Sequence, residues 1–169
     1  FFFKQKTAYE IVDCDWSSDV CSSDLQSYGA DVTAATAAKV AAATIAECKK
    51  NNWKMAVAVV DTHGALIHFE RIDDTQYASN DIAIAKARGS ATFRRPTRVF
   101  MDVVNKTPAT GTLPGVIGSP GGLPLVVGDK IIGAVGVSGG TGDQDEQCAK
   151  AGVGARSEEH TSELQSQST

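Results

Sequence analysis

Long apolar runs, clustered metal ligands and an excess of positive charge are all missing from this sequence. No apolar stretch approaches the ~20 residues that a membrane-spanning helix needs, so a spanning helix is excluded. The four cysteines stand in no CxxC pair and the three histidines in no His-x-His pair, which removes the usual zinc arrangements and leaves no metal site expected. Formal net charge is -4, and the near balance of charge over residues 26–155 gives no electrostatic footprint of the kind expected for a nucleic-acid partner. There is no GxGxxG register and no Gly-Lys-Ser/Thr ending, and Asp143, Asp145 and Glu146 at the last helix start would repel a phosphate. Those acids are read instead as complements to the helix dipole. Neither a Ser-His-Asp order nor a pair of catalytic carboxylates is present to specify an enzyme.

The two ends read differently from the middle. WSSDVCSSDL (16–25) and RSEEHTSEL (156–164) can be encoded by opposite strands of one oligonucleotide, and both resemble translated sequencing adapters, as does KQKTAYEI (4–11). Residues 1–25 and 156–169 are therefore set apart from the fold as non-native segments. The remaining residues, 26–155, carry 13 basic and 12 acidic side chains, and Cys48 and Cys148 as their only cysteines. These two read as small helix hydrophobes and do not fix a redox compartment. The stretch is one domain's worth of chain, enough to bury a single core. Since the segment ahead of residue 26 is set apart, localisation and any export signal stay open.

The most informative stretch is Gly121 to Gly140. Two β-branched runs, Leu123 to Val127 and Lys130 to Val137, flank Gly128-Asp129, residues that accept the positive φ of a tight hairpin turn. Glycines at 121, 122, 133, 136 and 139 remove side chains where strands normally pack them, implying close approach of another backbone or of a ligand. A pocket is expected against this hairpin. A helix follows from Thr141–Asp143 to about Ala155.

Upstream, Asp31 or Thr33 can cap a first helix running to about Asn51, with Val40, Ala41, Thr44, Ile45 and Cys48 as its apolar stripe. MAVAVV (55–60), the turn Asp61-Thr62-His63-Gly64 and ALIHFER (65–71) form a second hairpin, Gly64 supplying the left-handed residue. Alternation ends an apolar row at Arg71, where a guanidinium either meets a carboxylate or is simply solvated. A second helix over about 80–93 groups Ile82, Lys86, Gly89 and Phe93 on one face. Lys86 there either reaches an anionic ligand with a desolvated, lowered pKa or snorkels to the edge. Arg94, Arg95 and Arg98 bracket Pro96-Thr97, a basic cluster that either holds carboxylates or propionates or is an exposed charge run; a short helix to Asn105 follows. Residues 106–122 are a Gly/Pro-rich loop with a short strand expected near Val116.

VVDTHGALIHFER, IAKARGSATFRRPT and GGLPLVVGDKIIGAVGVSGGTGDQD, in this order and followed by a small-residue helix, resemble the GlcG/HbpS-like family, also called haem-degrading domains. The resemblance covers about Tyr28 to Ala155. It implies a profilin-like three-layer α/β/α fold around a central antiparallel sheet of about five strands, homo-oligomers, and haem binding or degradation in some members. It places the ligand-binding positions at Arg71, Lys86, Phe93, Thr97, Gly121, Gly122, Ser138 and Gly139. Gly89 and Asp74 depart from the family's usual Thr and Gly, so no role for that threonine hydroxyl carries over.

From the residues alone, an iron ligand would be His63 or His68, with Tyr77 and Met101 as further options. Two functions stay open. One is a tetrapyrrole-binding module with haem as cofactor, walled by Phe69, Phe93 and the hairpin. The other is a small-organic-acid-binding protein or cofactor-independent enzyme, in which Arg71 and Lys86 hold a carboxylate and the amides near Gly121 and Gly122 stabilise an oxyanion.

Overall fold

Thr33 decides where the first helix begins. In this computed structural model, which describes residues 25–155, its backbone is extended and its hydroxyl accepts the Thr36 N–H at 3.2 Å, opening α1 (Ala34–Lys50). Asp31, the other capping candidate, is used elsewhere. The stripe Val40, Ala41, Thr44, Ile45 and Cys48 is buried as expected.

The strand β2 (Ala56–Val60) turns back into β3 (Leu66–Arg71) through residues 61–65. Asp61 Oδ1 accepts the N–H groups of His63 and Ala65, and Gly64 takes φ +83, the left-handed step that L-residues resist. The ladder slips between Val59 and Val60, the bulge such a turn brings.

Next comes α2 (Ala78–Phe93), ended by Arg94 in the left-handed region at φ +57. Pro96 separates it from α3 (Arg98–Lys106). A 3-10 turn at Pro108–Thr112 leads into irregular chain. The strand expected near Val116 does not form. The Val116 N–H bonds the Leu113 carbonyl at 3.2 Å, and the preceding Gly115 sits at φ +84, so the donor a ladder would need is spent in a turn.

The hairpin β4 (Gly122–Val127) and β5 (Lys130–Ser138) precedes α4 (Gly142–Ala155). Antiparallel neighbours run in the order β4-β5-β2-β3. The two-residue β1 (Ser27–Tyr28) adds a parallel pairing to Lys130 and Ile131 of β5, on the side where β2 has ended. This completes a five-stranded sheet.

One row across the sheet reads Gly122, Gly136, Ala58, Phe69. A Cβ at Gly136 would lie 2.1 Å from the Ala83 carbonyl oxygen, and one at Gly122 only 2.4 Å from that of Lys86. At Gly122 and Gly136 the missing side chains therefore admit the backbone of α2, not a ligand, and the pocket expected against the hairpin is left only at its end, beside Ser138 and Gly140. This also sets the helix's rotation. Ala83, Ala87 and Ala91 face the sheet, while Ile82, grouped with Lys86 by spacing, is 38% exposed.

On the opposite face, Val57, Val59, Leu123, Leu125, Val135 and Val137 pack against Val40, Ala41, Ile45 and Cys48 of α1 and Cys148 and Ala149 of α4. The result is the expected α/β/α sandwich, with α2 on one side and α1 with α4 on the other.

Candidate functional site

Among the alanines that α2 lays on the sheet stands Lys86, 1% exposed. Its ammonium donates to Asp145 Oδ2 at 2.6 Å and to the Val137 carbonyl at 3.1 Å. Asp145, in the first turn of α4, is itself 2% exposed, and its other oxygen accepts the Gly140 N–H at 2.9 Å. Either charge alone in this interior would be costly, and paired they compensate. Lys86 thus does not snorkel. Asp145 is more than a dipole complement, although the spacing of the three acids gave no sign of which one turns inward.

The other two acids serve Arg98. Its guanidinium reaches Asp143 and Glu146 at 2.5 Å each, and these two carboxylates hold it above its ordinary pKa, Asp143 most strongly. Arg94 lies 5.4 Å over the Tyr28 ring and donates to the Gln26 carbonyl, while Arg95 Nε donates to the Phe93 carbonyl. The basic cluster legible in sequence is therefore dispersed, and its one carboxylate-binding member is satisfied by the chain's own α4.

Two clefts flank these elements. The larger, about 540 Å³, runs along the first half of α2 and is lined by Asp81, Ile82, Lys86, Ile117, Ser138 and Asp145 among others. Its charged lining is two carboxylates against one ammonium. The second, about 460 Å³, is lined by Tyr28, Gly29, Ala30, Asp31, Thr62, His63 and Thr92.

In this second cleft the hydrogen bonds form a directed chain. Asp31 Oδ1 accepts the Thr62 N–H at 3.0 Å and the Thr62 hydroxyl at 2.5 Å, which together hold the carboxyl below its ordinary value, the hydroxyl most strongly. The hydroxyl's single proton is committed to that carboxylate. Its 3.2 Å contact with His63 Nδ1 must then be an N–H donated to the hydroxyl oxygen. This places a proton on Nδ1, and in the neutral ring the lone pair that can bind a metal centre is then the one on Nε2. Ligand atoms of Asp31, Asp61 and His63 lie within 4.8 Å of one another. Arg88, whose Nε donates to the Gly64 carbonyl at 2.9 Å, and Arg94 over Tyr28 supply cations beside the cleft.

Residues 32–154 match the family described as haem degrading protein HbpS-like. The chain belongs to the HbpS-like family. Relatives include protein GlcG of Escherichia coli strain K12, 44% identical over 103 residues that make up 60% of this chain and 77% of GlcG. Among solved structures, a double mutant of HbpS from Streptomyces reticuli superposes with TM-score 0.70 at 26% identity, covering 85% of this chain and 97% of that one. The PduOC:heme complex superposes with TM-score 0.68 at 23% identity, over 74% of this chain and 94% of PduOC, a likeness of fold.

In this HbpS-like chain the positions implied by family resemblance do not all meet. Lys86 and Ser138 line the larger cleft, and a Cβ on Gly121 would lie 3.2 Å from Lys86 Nζ. Thr97 and Gly122 form a clamp beneath it: the Thr97 N–H donates to the Gly122 carbonyl and the Gly122 N–H to Thr97 Oγ1. Gly139 packs on the Lys54 carbonyl. Arg71 shares a sheet row with Ser138 through Ala56, about 10 Å away across two strand spacings, and its guanidinium lies 5.8 Å from the Tyr77 ring centroid. Phe93 stands apart, edge-on to Phe100 at 5.0 Å.

Of the candidate iron ligands, His63 lies in the second cleft, while His68 is half-buried on β3 opposite Val59, on the α1 side of the sheet. Sequence reasoning named His63 but missed Asp31, Thr62 and Tyr28 around it. The DTHG turn was the signal for the first half of that arrangement. The Asp31 partner lies 31 residues away from Thr62 and had none.

Proposed function

We propose that this HbpS-like domain binds haem, with His63 Nε2 as the iron ligand and the Tyr28–Thr62 cleft as its seat. One observation carries the reading: the Asp31–Thr62–His63 chain holds an exposed imidazole by its Nδ1 and turns Nε2 away from that chain. The ring of Tyr28 offers an aromatic wall, and Arg88 and Arg94 are the cations for the propionates. Haem bound there would supply an iron centre for ligand exchange and electron transfer. His63 would supply a nitrogen ligand, Asp31 and Thr62 its orientation, and Arg88 and Arg94 the charge balance. Family membership and the haem named in the PduOC structure support the same ligand.

The alternative, a small organic acid held by Lys86 and Arg71, gains less from the geometry. Asp145 already matches the Lys86 charge, and Asp81 shares the cleft, so a carboxylate entering there meets net negative charge. Haem titration of the full chain, followed in the visible spectrum, tests the proposal. Saturable one-to-one binding is expected, weakened at least tenfold by His63→Ala and left unchanged by His68→Ala. Equal binding by the parent and His63→Ala would overturn the assignment of the ligand.

A further inference from the structure

The two cysteines that read as unremarkable helix residues face each other across the α1–α4 interface. Two contacts fix the register of that antiparallel pair. A Cβ on Gly152 would lie 2.1 Å from Thr44 Oγ1, so the helix backbones approach closely there. One turn further along both helices come Cys48 and Cys148, both fully buried in the same apolar cluster. Immediately beside them, Gln147 Nε2 donates to Glu47 Oε1 at 2.9 Å. Both cysteines are free, and Cys48 Sγ also lies 3.5 Å from Met55 Sδ.

We infer that Cys48 and Cys148 are the site of an oxidative modification, an intrachain disulfide that staples α4 to α1. Facing positions on two helices whose backbones approach this closely are where the short Cα separation of a disulfide can be met. The Cys148 thiol is the largest influence on Cys48 and, with burial, pushes the Cys48 thiol well above its ordinary pKa, which makes the reaction slow and suits a small oxidant. With a peroxide, one thiol takes an oxygen to become a sulfenic acid and one water leaves. The second thiol then attacks that sulfur, the S–S bond forms and a second water leaves, so two thiols are oxidised and one peroxide is reduced. The consequence reaches the larger cleft. Cys148 lies one turn after Asp145, the buried partner of Lys86, so the staple pins the helix that holds Lys86 and Arg98.

The test uses the full chain carrying Cys14→Ser and Cys21→Ser, treated in native buffer with hydrogen peroxide, then alkylated under denaturing conditions and mapped by mass spectrometry. The expected product is one linked peptide pair joining Cys48 to Cys148. A reversible rise in Tm of about 10 °C should accompany it, because the closed loop is long, and it should be lost on adding a phosphine reductant. Cys48→Ala and Cys148→Ala should each abolish the rise while keeping the far-UV spectrum. The inference is overturned if both cysteines remain alkylatable after an exposure that oxidises Cys14 and Cys21 in the parent chain. It is equally overturned if they oxidise separately to sulfinic acids or link only between molecules.

Discussion

Lys86 and Asp145 each remove from water a charge that the other needs. Substituting one partner is therefore costly and substituting both much less so. Lys86→Ala is expected to destabilise the domain by about 3–5 kcal/mol, since it strands a buried carboxylate. Lys86→Met combined with Asp145→Asn should recover most of that loss, because the Gly140 amide keeps its acceptor and the interior holds no unpaired charge. Urea unfolding of the two variants measures the difference, and a double variant as unstable as the single one would show that the pair does not act as a unit. Asp31 makes a different, pH-dependent contribution. Its hydrogen bonds with Thr62 depress its pKa from 3.8, so its stabilisation is complete above that value and disappears as pH falls through the folded value. Glu47, lowered mainly by its bond from Gln147, behaves alike. Asp31→Asn should accordingly make stability fall less steeply below about pH 4, leaving the slope from Glu47. At this scale the sequence named Lys86 and His63 as chemically interesting but could not supply their partners. Asp145 lies 59 residues from Lys86, and no local pattern connects them.

The helix α2 is shaped by what it lies on. Its alanine face touches strand backbone at Gly122 and Gly136, so a methyl group there has nowhere to go. Gly136→Ala, whose Cβ would meet backbone on both α2 turns it touches, should cost about 3 kcal/mol or more. Gly128→Ala at the hairpin turn, with nothing within 4 Å and φ +62, should cost only about 1–2 kcal/mol from backbone conformation. Thermal melts of the pair separate packing from turn geometry; equal losses would mean that α2 can shift to make room. The strands, hairpin turns and helix ends were readable because each depends on neighbours in sequence: Gly64, Thr33, Gly128 and Pro96 act within a few residues. The rotation of α2 was not. Period alone put Ile82 and Phe93 with Lys86, whereas the sheet's glycine row demands the smallest side chains. The missing strand at Val116 fails for a related reason, because a β-branched residue extends into a ladder only if a free edge and a free donor meet it.

For the molecule as a whole, the sandwich closes within residues 25–155, both faces of the sheet being covered by helices of that span. Residues 26–155 made alone should therefore unfold in one cooperative transition with the Tm of the full chain, checked by calorimetry, and light scattering on the same sample tests the homo-oligomer that the family resemblance implies. A fragment that melts without cooperativity would show that the boundaries cut into the domain. What the sequence by itself determined is the order of the helices and the two hairpins, the fold class and the family, since turn residues, side-chain period and shared motifs are properties of short stretches and survive without coordinates. Only the tertiary structure decided which charges are spent inside the molecule and which are free to act. Lys86 and Arg98 are neutralised by α4, His63 is oriented by Asp31 through Thr62, and Cys48 meets Cys148. Each of these pairs brings together residues distant in sequence, and a hydrogen bond or ion pair depends on a separation of about 3 Å that only the packed layers bring about.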